Sequence, residues 1–238
     1  MSASSQQPTS STSQIPNSTQ AIVEQLLSQR KFFEKESSQV KHLDNTSIPS
    51  NSTVFLRLCD DMEYIIDSVC TKIMIEECKN LKLTVNDKIL TSIIEVWKSD
   101  NVNLNLNSQV QTVQIDHCKN INLNYNNPNH FYSAVWTTTS KFSLKIFEND
   151  QEKYTFNNEK DNEEDSLNKQ NIIRLIDNKL VTEELVRAEN WFPITQREWK
   201  EWTVKASANA ERLRQKEKEK VEAENKNNEN TNNNETTN

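Results

Sequence analysis

The sequence predicts a mainly β protein, a right-handed parallel β-helix built from coils of about twenty residues, with flanking α-helices and disordered tails. Three observations point there. A short phrase recurs between Thr53 and Ile146, with anchors Cys59, Cys78, Trp97, Cys118 and Thr138 spaced 19, 19, 21 and 20 residues apart. Apolar residues alternate with polar ones on both sides of each anchor, the period of a strand with one buried face. Glycine is absent from the chain, and asparagine stands at the expected bends, where it tolerates left-handed geometry best after glycine.

Residues 1–17 are Ser, Thr and Gln with little else, and cannot bury enough apolar surface to offset ordering entropy; they are expected to be a disordered tail. Residues 18–41 are expected to form an amphipathic helix, with Ile22, Leu26 and Phe33 on one stripe and a polar gap at Gln29. Such a helix would either cap the solenoid or bind a partner. Residues 42–52, with Asn45, Pro49 and Asn51, read as a linker.

The solenoid domain is expected over residues 53–190. Val54/Leu56, Ile73/Ile75 and Val113/Ile115 precede their anchors as inward residues, and Leu81/Leu83/Val85 and Ile121/Leu123/Tyr125 follow. No strand pair buries its face alone, so the coils must stack. Lys79, Lys98 and Lys119 each follow an anchor by one residue, which would stack them as a basic strip, with Asp116 and His117 just before the last anchor. Residues 148–168 read as a solvated acidic loop. Residues 171–186 read as a hairpin turning at Asp177-Asn178. Residues 191–224 form an expected helix. Thr195 and Glu198 have capping-box spacing, and Trp199, Trp202, Ala206, Ala210 and Leu213 share one face. That aromatic end either docks on the solenoid or meets a partner. Residues 225–238 are Asn/Thr/Glu-rich and expected to be disordered.

Composition narrows the function. Only 34% of the chain is hydrophobic and its mean hydropathy is −0.85, so part of it must remain solvated. A net charge of −7 argues against a general binder of nucleic acid or of anionic membranes. No apolar run approaches the ~20 residues that span a bilayer, so no membrane insertion is expected. No secretory signal is visible at the start, and a cytoplasmic location is expected. Cys59, Cys70, Cys78 and Cys118 form no CxxC pair and read as buried core in a reducing compartment, so no metal is expected. Without glycine there is no phosphate-cradling loop, and no cofactor is expected.

The repeat phrase Thr71–Asn80, the later coil Val110–Asp116 and the hairpin Asn178–Glu183 together resemble the C-terminal β-helix domain of the adenylyl cyclase-associated proteins, within the C-CAP/cofactor C-like superfamily. The hairpin resembles the family's closing G-K-L-V-T-T, with Asn178 for glycine. The resemblance covers roughly residues 53–190. It implies binding to monomeric actin, regulation of actin dynamics and a cytoskeletal location. It also implies a homodimer formed by exchanging the hairpin, here through Ile173, Leu175, Leu180, Val181 and Leu185. The family's adenylyl cyclase contact and cofilin-related work depend on an N-terminal helical domain, a proline-rich segment and a verprolin-homology motif that are not visible in this sequence.

The sister branch, tubulin cofactor C and its relatives, resembles a GTPase-activating protein with an arginine finger in a Q-x-R motif. Two windows could match it, Thr112-Val113-Gln114 and Gln114-Ile115-Asp116, and neither ends in arginine. Neither glutamine nor aspartate can neutralise charge developing on a transferring phosphoryl group. His42, His117 and His130 are scattered and lack a neighbouring nucleophile. The sequence therefore reads as an actin-binding module with no catalytic residues, the alternatives being a GTPase-activating or tubulin-folding factor of the cofactor C type or a non-actin scaffold.

Overall fold

The computed structural model describes residues 29–158, 169–187 and 192–235, with side chains as far as residue 220. The chain divides into two units. One comprises Met1–Asn168 with Ile173–Val181, the other Lys169–Ile172 with Thr182–Asn238.

The first unit is a solenoid of six coils, each contributing one strand to either of two sheets. The coils are β1 (Arg30–Glu34) with β2 (Ser37–Leu43), β3 (Thr53–Arg57) with β4 (Asp60–Ile66), and β5 (Lys72–Glu76) with β6 (Lys79–Val85). After them come β7 (Ile93–Trp97) with β8 (Asp100–Leu106), β9 (Val110–Asp116) with β10 (Lys119–Tyr125), and β11 (Phe131–Thr137) with β12 (Ser140–Glu148). Strands β1, β3, β5, β7, β9 and β11 stack in parallel in the first sheet, and their even-numbered partners do the same in the second. Inward residues line up in register, as Ile75↔Val96↔Ile115↔Trp136 and Leu83↔Leu104↔Leu123↔Leu144 do. Nearly all are fully buried. A third wall closes the core where the coils connect. Ile48, Cys70, Ile89, Val110 and Phe131 are buried there, with Cys70 bridged to Ile89.

Each coil turns its corner through two residues in the left-handed region. One precedes the anchor (Lys35, Leu58, Glu77, Lys98, His117, Thr138) and one lies two beyond it (Ser38, Asp61, Asn80, Asn101, Asn120, Lys141). Asparagine fills three of the second set but none of the first. What holds the first set is the ladder. The amides of Leu58, Glu77, Lys98 and His117 donate to the carbonyls of Glu76, Trp97, Asp116 and Thr137 on the next coil at 3.0–3.1 Å. These bonds offset the steric cost of a left-handed side-chain-bearing residue, about 1–2 kcal/mol each.

The anchors differ from the sequence expectation in two coils. The corner residues are Cys59, Cys78, Ser99, Cys118 and Thr139; Trp97 and Thr138 are displaced from that column by two residues and one. The corner needs a small side chain that both donates and accepts. Cys78 N donates to Ser99 Oγ at 3.1 Å, Ser99 N to Cys118 Sγ at 3.5 Å, and Cys118 N to Thr139 Oγ1 at 3.4 Å. In return Cys118 Sγ donates to the carbonyls of Val96 and Asp116. Tryptophan can do neither inside a corner. All four thiols are free and buried; burial pushes those of Cys70 and Cys118 up to about 12, so these two stay protonated and chemically quiet.

Three other expectations need correction. Residues 30–34 and 37–43 are strands of the first coil and not part of a helix over 18–41, because they pair in parallel register with β3 and β4 and put Phe33 and Leu43 in the core. The helical stripe drawn through Phe33 was fortuitous, and residues 18–28 lie outside the described residues. The expected linker 42–52 is structured. Ile48 is fully buried, and the Asp44 carboxylate accepts from the hydroxyl and amide of Thr46 and the amide of Ser47, which hold it down at about 2. Within the expected acidic loop, Gln151–Asn158 forms β13, antiparallel to β12. The two strands turn at Asn149-Asp150, both at positive φ. Its Phe156 packs on Trp136 and Phe142 and closes the last coil. The rest, 159–168, lies outside the described residues.

Strands β14 (Gln170–Ile176) and β15 (Lys179–Arg187) turn at Asp177-Asn178, also at positive φ. Within the solenoid unit, β14 follows β11 in the first sheet, Ile173 is buried, and Leu175 and Leu180 pack against the core.

In the second unit, Leu185–Arg187 of β15 pairs antiparallel with β16 (Pro193–Thr195), which leads into helix α1 (Gln196–Glu235). The capping box is present: Glu198 N donates to Thr195 Oγ1 at 3.2 Å, and Thr195 N to Glu198 Oε2 at 3.1 Å. Arg197 makes a two-pronged pair with Glu183. The helix continues beyond 224 to Glu235, through part of the tail expected to be disordered. Strong helix formers carry it past the apolar stripe as far as Glu224, and the Asn-rich residues that follow are poor helix formers by comparison.

Candidate partner-binding face

The strand register decides which of the expected site residues meet. Lys79 and Lys119 share a column, but Asp100 stands between them and Asp60 precedes them. That column alternates in sign. Lys98 belongs to the neighbouring left-handed column, between Glu77 and His117. A single basic strip is therefore not formed. The slip comes from the fourth coil, where placing the anchor at Trp97 put Lys98 one position after it and not one before.

A different surface emerges on the outer face of the first sheet. Between the inward residues, each strand presents two or three outward ones. The central column is Phe32, Phe55, Met74, Glu95, Gln114 and Val135, and beside it runs Glu34, Arg57, Glu76, Trp97, Asp116 and Thr137. Phe32 stacks on Phe55 with ring centroids 4.6 Å apart. Phe32 is 48% exposed and Trp97 38%. Arg57 lies between Glu34 and Glu76, and Lys72 pairs with Glu95. Sequence reading missed Phe32, Phe55 and Met74. Their signal was parity: Phe55 and Met74 are apolar residues flanked by two inward apolar neighbours, and Phe32 by Phe33 on one side, at places where a solvated face puts polar side chains.

Asp116 is the one expected site residue on this face. Gln114 Nε2 donates to its Oδ2 at 2.7 Å. Its Oδ1 is buried and has no hydrogen-bond partner. Burial raises the Asp116 carboxyl above its ordinary range, against the opposing pull of Gln114 and His117, with Glu95 adding to the rise. A carboxylate oxygen kept from water without a donor is costly to the fold. The sign follows. Ionisation is penalised in the fold, so this carboxyl's contribution to stability is greatest below its unfolded value and is lost as pH rises through the window up to its raised folded value. Asp116→Asn is expected to raise the unfolding midpoint at pH 7, with the gain vanishing near pH 3; denaturant melts at the two pH values check this.

The two windows that could align with an arginine finger also resolve. Gln114 and Asp116 point outward, Val113 and Ile115 inward. The Gln114 amide is already committed to Asp116. Among the described residues no cluster of His, Cys, Asp and Glu is arranged to hold a metal ion.

A family model described as "Adenylate cyclase associated (CAP) C terminal" matches residues 20–186. The chain belongs to this family. That span takes in every coil, and its start ahead of β1 agrees with a solenoid that begins before residue 53. Membership supports a general role in regulating the actin cytoskeleton. Among solved structures the chain is similar to the crystal structure of cyclase-associated protein from Cryptosporidium parvum, at 16% identity and a TM-score of 0.45, over 65% of this chain and 90% of that one. No curated protein gives a match.

Proposed function

We propose that this CAP-family solenoid is a non-catalytic module that binds actin monomers through the outer face of its first sheet. Asp116 and Trp97 lie at the centre of the contact, and Lys98, His117, Lys79 and Lys119 lie along its corner. The observation that carries the reading is the buried, unpartnered Asp116 oxygen beside a half-exposed indole on a coil within the family match. Aromatic anchors ringed by charge are what protein interfaces concentrate. The hairpin residues Ile173, Leu175, Leu180, Val181 and Leu185 are proposed to exchange between two copies. Adenylyl cyclase is not part of this proposal.

Nucleotide exchange on monomeric actin tests it. The full chain is expected to change the exchange rate, and Trp97→Ala with Asp116→Ala is expected to weaken that effect about tenfold or more, the loss expected for a central interface pair. An unchanged exchange rate with the full chain present would sink the reading.

A further inference from the structure

We infer that the first half of helix α1 is a peripheral membrane element that lies on anionic lipid surfaces. At helical spacing, Trp199, Trp202, Ala206, Ala210 and Leu213 form one stripe, about 21 Å long at 1.5 Å per residue. The two indoles stack with ring centroids 5.3 Å apart at its N-terminal end. Trp202 is 48% exposed and Leu213 64%, so the stripe is open to solvent from Trp202 onward, with Trp199 half-buried at its start.

The basic residues are placed to match. Lys205, Arg212 and Lys216 run along one side of the stripe, and Lys200, Arg214 and Lys218 along the other, all exposed. Their long stems let ammonium and guanidinium groups reach headgroups while the stripe enters the acyl boundary. Tryptophan favours that boundary because it is apolar in body and polar at its N–H. Glu217 stands where the stripe would continue and ends it.

The chain's net charge of −7 argues against general attraction to anionic membranes, but this helix is locally basic. From Trp199 to Lys216 there are five basic residues (Lys200, Lys205, Arg212, Arg214, Lys216) against two acidic ones (Glu201, Glu211). Exposed charges farther away than roughly 8 Å are largely screened at physiological salt. A second copy fits less well. A coiled-coil seam from Trp199 and Trp202 would continue through 206, 209, 213 and 216; Ala206 and Leu213 fit it, but Asn209 and Lys216 put polar residues at both following d positions. The helix does not span: among the described residues none is long and apolar enough to cross a membrane.

The test is co-sedimentation of the full chain with vesicles of phosphatidylcholine containing phosphatidylserine, against vesicles of phosphatidylcholine alone. Binding is expected only with the anionic lipid, with a blue shift of tryptophan emission and release at high salt. Lys205→Glu with Lys216→Glu, and separately Trp202→Ala with Leu213→Ala, are expected to weaken binding about tenfold or more, since charge and apolar burial both contribute. These side chains are exposed, so circular dichroism should show both variants folded. Equal binding to both vesicle types, binding to neither, or binding unchanged in both variants would overturn the inference. So would a self-association of the folded chain, seen by light scattering, that is lost in the Trp202/Leu213 variant while lipid binding is not.

Discussion

Phe142→Ala is expected to lower the free energy of unfolding by about 3–5 kcal/mol, the range for deleting a buried phenylalanine in a core that cannot collapse around the gap. Phe142 is 1% exposed. It meets Trp136 at 5.2 Å and Phe156 at 5.8 Å between ring centroids, and Trp136 meets Phe156 at 5.6 Å. The three rings close the C-terminal end of the stack, where β13, in place of a coil, pairs alongside Leu144 and Ile146. Removing the middle ring leaves a cavity and also loosens the plug that β13 provides. For a chain of this size the thermal midpoint should fall by roughly 6–20 °C. Phe142→Leu, which keeps most of the volume, is expected to cost much less; a denaturant melt of both variants separates lost volume from lost aromatic contact.

The second large effect is at the other end. A chain beginning at residue 50 loses β1 and β2 and is expected to lose cooperative unfolding or to aggregate. In a stacked repeat, each coil is stabilised mainly by its neighbours. Without the first coil, Val54, Leu56, Tyr64 and Ile66 of the second would face water, and β3 and β4 would become flat apolar edges open to pairing. The first coil is built as a cap. Its corner position holds Glu36, whose carboxylate accepts from Tyr64 Oη at 2.6 Å and from Lys41 Nζ at 2.6 Å. Tyr64 is fully buried, and burial raises its hydroxyl above the ordinary tyrosine value, so it serves as a neutral donor. Tyr64→Phe leaves Glu36 one donor short and is expected to cost about 1–3 kcal/mol. Deleting the coil should cost far more. If residues 50–238 melt as cooperatively as the full chain, the capping role assigned to residues 30–48 is wrong.

Most of the solenoid was legible because its signal is redundant. The parity of Ile73 and Ile75 is restated by Ile94 and Val96 and again by Val113 and Ile115. The first coil was not legible because its inward row is polar where the end of a stack can afford it: Glu36 and Lys41 stand where later coils put Cys59 or Cys78 and Tyr64 or Leu83. Read locally, Ser37–Leu43 has no strand-like apolar alternation, and only the register to β4 reveals it. The fourth anchor misled for a related reason. Ser99 acts in the corner through hydrogen bonding, which hydrophobic alternation does not record, so the more conspicuous Trp97 displaced it. That shift moved Lys98 into the wrong column and suggested a basic strip. Asp116 was legible as a polar residue beside an anchor. Its unsatisfied oxygen was not, because burial at the sheet face depends on Trp97 and Thr137, which lie nineteen and more residues away in sequence but are neighbours in register.

Binding of the full chain to monomeric actin, measured by titration beside the Trp97→Ala, Asp116→Ala double variant, tests the proposed interface most directly. Saturable binding by the full chain, weakened about tenfold or more in a double variant that circular dichroism shows folded, is the expected result. Equal binding by the two chains, or no binding by either, would contradict the assignment of the outer face of the first sheet as the actin contact.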